Sequence, residues 1–201
     1  MSHPFLVTGA AGGAQGSTGR RVAILLLEQG IPVRALVHKL DSRSDELRTR
    51  GAEVVEGDLL NPASVQAAMR DVKRAYFTYP VADGLLEAVA IFAAAARDAG
   101  VELVVNNSQF QGRPGEPAFR DLQHAPSFRN LQHRLADRIL DWAQVGAVHL
   151  QAPPYYEKRA QSCQPERRRA ERCLPAVGRG YDRHSTRRRG RCVPCSCSPV
   201  G

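Results

Sequence analysis

Residues 1–157 contain no cysteine. That absence excludes a disulfide framework, a cysteine nucleophile and a thiolate metal site from the larger part of the chain. No apolar run approaches the roughly 18 residues of a membrane span, and Phe5-Leu6-Val7 leads straight into a glycine-rich stretch rather than following a basic flank. The expectation is a soluble, cytoplasmic protein with no membrane partner. No Ser-His-Asp order, carboxylate pair or metal-ligand set stands out in this part, and it carries no Tyr-x-x-x-Lys.

An excess of charge is missing there too. The formal charge of the whole chain is +8, but residues 1–157 hold 16 Lys or Arg against 17 Asp or Glu, while residues 158–201 hold 12 against 3. Basicity that resides in one terminal segment is no argument for a nucleic-acid surface on the folded part, so no specific nucleic-acid partner is expected.

What is present is an alternation of β-rich runs and helical patterns. Strands are expected over residues 5–8, 32–37, 52–56, 74–79, 101–106 and 148–150, with helices over 20–29, 44–50, from Asn61-Pro62 onward, 83–99 and 131–143. Gly30, Gly51 and Gly100 stand where helix C-terminal glycines belong. Such alternation specifies βαβ units in a parallel sheet. A Gly- and Pro-rich loop after the fifth strand holds a short duplication, Phe119-Arg-Asp-Leu-Gln-His124 and Phe128-Arg-Asn-Leu-Gln-His133. Two short copies lengthen a loop and do not make a solenoid.

Between the first strand and first helix lies Gly9-Ala-Ala-Gly12-Gly13-Ala-Gln-Gly16-Ser-Thr-Gly19. Small residues at this place let the backbone approach a pyrophosphate and aim a helix N-terminus at it. The expected fold is therefore an α/β Rossmann-type, doubly wound parallel sheet over residues 1–157 that binds a dinucleotide, with Gly9, Ala11, Gly12, Gln15 and Gly16 at the cofactor. Gly16 and Gly19 both remain candidates for the third glycine. An acid that would select NAD at the end of the second strand is lacking; Arg34, His38 and Lys39 are there instead, which favours NADP(H) over NAD(H).

Four segments together, Val7-Thr8-Gly9-Ala10-Ala11-Gly12, Val33-Arg34-Ala35-Leu36-Val37, the run from Gly51 to Leu59 and Asn106-Asn107-Ser108, resemble the NmrA-like family of atypical short-chain dehydrogenases over about residues 4–157. The resemblance implies that Arg34 meets the adenosine phosphate, that Asp58 and Leu59 border the adenine, and that Tyr79 and Ser108 flank the nicotinamide ribose and the open site. In such relatives a lysine often precedes a helix acid by four residues; counting back from Asp137 lands on His133. His133, assisted by Ser108, is the expected proton donor. Two functions compete: an NAD(P)H-dependent reductase of a small carbonyl or quinone, and a non-catalytic redox sensor that acts through a regulatory protein partner.

Residues 158–201 obey other rules. All five cysteines lie here, arginine supplies 11 of the 12 basic residues, and no strand or helix period survives. If one base was gained just after Glu157, the codons for residues 166–178 permit S-V-A-E-Q-N-A-V-Y-L-P-W-G in the neighbouring frame, and those for 181–188 permit T-T-V-I-P-L-V-A. The expectation is a frameshift product, an irregular and disordered tail.

Overall fold

The computed structural model describes residues 3–13, 17–80, 82–109 and 128–152. Six strands, β1 (Phe5–Thr8), β2 (Val33–Val37), β3 (Glu53–Glu56), β4 (Arg74–Phe77), β5 (Leu103–Gln109) and β6 (Ala147–Ala152), form one sheet in the order β3-β2-β1-β4-β5-β6. All five pairings are parallel. Helices α1 (Thr18–Glu28), α2 (Ser42–Thr49), α3 (Pro62–Ala68), α4 (Leu85–Asp98) and α5 (Phe128–Ala143) alternate with them. The order reverses between β1 and β4, the switch point at which open α/β sheets bind ligands. The expected Rossmann-type sheet is the one found.

Each face of the sheet has its own core. Leu6, Phe77 and Val104 join Val65, Phe92 and Leu140 from α3, α4 and α5 and Met69 at the C-cap of α3, with the rings of Phe77 and Phe92 4.6 Å apart. Val7, Val37 and Tyr76 pack on the other side with Ala23 and Leu47 from α1 and α2. Buried apolar positions supply roughly 25 cal/mol per Å² removed from water, and burial on both faces is why these strands read as continuous apolar runs.

Three of the boundaries that differ from expectation bear on the site. The fourth strand ends at Phe77, so Thr78, Tyr79 and Pro80 form the turn after it. The fifth runs on to Gln109, because β6 is six residues long and keeps pairing through Gln109↔Ala152. Ser108 therefore lies inside β5, not after it. The last helix begins at Phe128, so the second copy of the duplication forms its first turns; the first copy lies outside the described residues. Among the described residues no helix is long and apolar enough to cross a membrane.

Candidate functional site: the carboxyl end of the sheet

The chain leaves β1 through Gly9, whose φ of +62° is a left-handed conformation that L side chains rarely adopt and whose Cβ would meet Thr78 Cγ2 at 2.7 Å. The Gly12 amide donates to the Gly9 carbonyl at 3.1 Å, closing a turn, and Gly12 is itself left-handed. Gly19, inside α1, has the carbonyl oxygens of Thr8 and Gly9 2.5 and 2.8 Å from where its Cβ would stand. It is the glycine that lets the helix approach the strand. The N-cap of α1, Ser17, makes no side-chain capping bond, and the first turn holds no acid. A helix N-terminus left in this state carries donors and a partial positive charge suited to phosphate. The residues present thus fit a pyrophosphate. Gln15 and Gly16 lie outside the described residues; Ala11 is half-buried against the α1 side of the core.

The wall of the crevice is tied together at the switch point. The Thr8 hydroxyl donates to the Thr78 carbonyl at 2.9 Å and accepts from the Thr78 amide at 2.8 Å, and Asn107 Nδ2 reaches Thr78 Oγ1 at 3.4 Å. These bonds link the ends of β1, β4 and β5.

Arg34 is not part of this end. It pairs in register with Leu6, two residues short of the Thr8↔Leu36 pair, and its guanidinium binds Glu53 at 2.9 Å and the carbonyls of Ala68 and Arg70 at the end of α3. At about 3.3 Å per residue it stands roughly 10 Å behind the strand end. That position is away from the glycine turn, where the resemblance puts an adenosine-phosphate contact. The basic groups at the glycine turn are different ones. Arg43, in the first turn of α2, donates to the Gly12 carbonyl at 3.1 Å and to Asp41 at 3.0 Å, and Arg20 donates to the Arg43 carbonyl at 2.9 Å while pairing with Glu46. The Arg43 hydrogen bond holds the Asp41 carboxyl below its usual range. Asp41 is also the N-cap of α2, in a reciprocal capping box with Ser44. His38 is exposed just past β2.

Asp58 closes the turn after β3, accepting from the Leu60 amide at 2.9 Å, and Leu59 packs beneath it against the core. Tyr79 lies near Asp58: burial first, then the charges of Asp58, Glu87 and Asp83, push its phenol up. Its hydroxyl donates to the Asp83 carbonyl at 3.1 Å. Asp58 and Tyr79 are thus brought together.

Beyond the switch point a polar cluster sits where an apolar one would be ordinary. On the α5 side of β5, Val104 is followed by buried Asn106 and Ser108. Asn106 Nδ2 donates to Asp137 Oδ1 at 2.8 Å and lies 3.1 Å from His149 Nδ1, and His149 Nε2 is 2.9 Å from Asp141 Oδ1. Asp137 is 4% exposed. As the return element between parallel strands, α5 runs against them, so its N-terminal turns, with half-buried His133, lie toward their carboxyl end. Burial pushes the His133 imidazole below its ordinary value, Asp137 opposes this, and Arg129 adds to it. Thr8, Arg43, Asn106 and His149 were not among the expected site residues; the polar run Asn106-Asn107-Ser108-Gln109 after the apolar start of β5 was the available signal for Asn106. A cleft of about 380 Å³ bordered by Gln66, Arg70 and Asp98 opens at the opposite, amino end of the sheet and is remote from all of this.

A glycine turn, a helix N-terminus without a side-chain cap from Ser17 and a clasped switch point together define a dinucleotide-binding α/β domain. The chain belongs to the NAD(P)H-binding family, whose model matches residues 13–169. It is 30% identical over 105 residues to an NAD(P)H azoreductase from Xenophilus azovorans, 52% of this chain and 36% of that protein. Its fold is similar to that of a Citrobacter sp. triphenylmethane reductase complexed with NADP(H), at a TM-score of 0.63 and 23% identity over 77% of this chain and 51% of the other. A similar match is an Escherichia coli NADPH-dependent quinone oxidoreductase complexed with NADPH, at a TM-score of 0.63 and 18% identity over 79% and 52%. At these identities the structures show a shared fold alone. The chain spans about half the length of the solved relatives it matches and about a third of the azoreductase.

Proposed function

We propose that this chain is an NmrA-like protein that binds NADPH in preference to NADH and serves as the cofactor half of a reductase for small conjugated acceptors, a carbonyl, quinone or dye. The observation that carries the cofactor preference is Arg43, placed on the Gly12 carbonyl with Arg20 behind it and followed back along the chain by Lys39 and His38. A planar guanidinium beside the turn after β2 complements a 2′-phosphate, and Arg43 already neutralises Asp41, the acid that would repel one. The names of the relatives support the acceptor class: azo compounds, triphenylmethane dyes and quinones share a conjugated, hydride-accepting centre.

When bound, the nicotinamide supplies hydride. The chain's own residues then do the rest of the work: the glycine turn and α1 hold the pyrophosphate, the clasped ends of β1, β4 and β5 form the floor, and His133 hands a proton to the acceptor. The depressed proton affinity of His133 and the lack of Tyr-x-x-x-Lys favour a second reading, a dinucleotide sensor without turnover. Calorimetry with NADPH and NADH, paired with NADPH oxidation against quinone and dye panels, separates the two; binding without oxidation of any acceptor selects the sensor. Arg43→Ala should weaken NADPH binding about 10- to 100-fold, the equivalent of one charge-assisted contact, and leave NADH binding nearly unchanged.

A further inference from the structure

We propose that Asp137 is the positioning carboxylate for His133, and that Asn106 of β5 and His149 of β6 hold it in place for that task. The inference rests on the reading of His133 as a proton donor and goes beyond it by naming the groups that make such a donor workable. His133 and Asp137 are four residues apart on α5 and so share one helix face a turn apart.

An ionised carboxylate that is 4% exposed is costly to bury unless it is hydrogen-bonded. Asp137 has that support from across the sheet, through the 2.8 Å bond from Asn106 Nδ2 and the His149 ring, whose Nδ1 is 3.4 Å from the same Oδ1. His149 is anchored in turn by Asp141, which also pairs with Arg138 at 3.2 Å. Two strands and one helix therefore converge on a carboxylate that does no apolar packing.

The effect on His133 follows from its surroundings. Burial alone would leave a neutral imidazole with no proton to give, and Arg129 acts in the same direction. Asp137 is the group on the helix that opposes both. The other charged or titratable groups along this line are Arg134, Arg138 and Asp141 on α5 and His149 on β6; the buried positions of α4, which packs on α5, are apolar throughout. In the reduction, the acceptor carbon gains hydride, the N–H bond of His133 breaks as an O–H bond forms on the acceptor oxygen, and a neutral imidazole remains. Asp137 stays ionised and returns part of the proton affinity that burial removes, so that solvent can recharge His133.

The test is an NMR titration of the ring of His133 in cofactor-free protein, with the resonance assigned by its loss in His133→Gln. Asp137→Asn should move the midpoint to lower pH, Asp137→Glu should restore it toward wild type, and calorimetric NADPH affinity should be the same in all three. If Asp137→Asn does not fold, Asn106→Ser, which frees the carboxylate without removing it, should give a smaller shift in the same direction. A midpoint that stays at the wild-type value, whatever happens to the melting temperature, overturns the proposal and leaves the cluster as a tie between α5 and the sheet. Because this measurement needs no turnover, a wild-type protein that oxidises no NADPH would count against the reductase reading and leave the NMR result to decide the role of Asp137.

Discussion

Gly19 shows how little room one residue can have. With two backbone carbonyls inside 3 Å of its Cβ position, neither of which can rotate away as a side-chain tip would, Gly19→Ala must push α1 off β1. We expect a loss of about 1–3 kcal/mol in denaturant unfolding and a parallel loss of dinucleotide binding. His133 gives a residue-scale prediction in pH. Its folded-state proton affinity is depressed, so its contribution to stability is fully present above the ordinary value of 6.5 and is lost as pH falls below it. Melting temperatures recorded from pH 8 down to pH 5 should fall, and His133→Gln should flatten that fall. The same scale explains what could be read in advance and what could not. Basic residues near the second strand were legible as a phosphate signal, but Arg34 and Arg43 differ only in where the strand ends. Register puts Arg34 beside Leu6 at the back of the sheet, and the capping box at Asp41 turns Arg43 toward the glycines.

Two helices of this domain, α2 and α3, are set by short polar signals at their starts. Asn61 Oδ1 accepts from the amides of Ala63 and Ser64, with Pro62 at the first helical position, and the Ser64 hydroxyl in turn receives the Asp58 amide at 3.0 Å. Asn61→Ala should cost about 1 kcal/mol in thermal or urea unfolding, and should slacken the Asp58 turn that borders the site. Asn61-Pro62 was readable as a helix start because the residue types perform the capping themselves. The extent of β5 was not readable, because strand length there is decided by pairing with β6, some forty residues later, and not by any local property of Asn107, Ser108 and Gln109. His133 was already on the helix expected from residue 131; the start at Phe128 was not readable, because Arg129 and Asn130 precede the first apolar repeat, Leu131 and Leu135.

At the scale of the whole molecule, the doubly wound parallel sheet was legible in the alternation, since parallel strands joined by right-handed crossovers leave few arrangements. The composition break at Lys158 leads to a separate prediction. The match to the family model continues to residue 169, past that break, although the basic, cysteine-bearing stretch follows no element pattern. We propose that residues 158–201 are read out of frame. Resequencing the gene should reveal one extra base just after the codon for Glu157, and a clean read in the present frame would sink the idea. Restoring the frame should improve yield and NADPH affinity together, because ligands in open α/β folds bind in a crevice that the chain beyond the last strand helps to enclose.

The paired bonds between Thr8 and Thr78 bear on energetics in a further way. Thr8 is fully buried, and its hydroxyl is used both as donor and as acceptor across the seam at which the sheet changes direction. Strands locked in both directions cannot splay, so the seam is pre-organised, and docking there forfeits little conformational entropy at the binding floor. Valine, which is nearly the same shape but has no hydroxyl, would leave the Thr78 amide and carbonyl to find other partners, and the seam would then pay that entropy anew each time a ligand arrived.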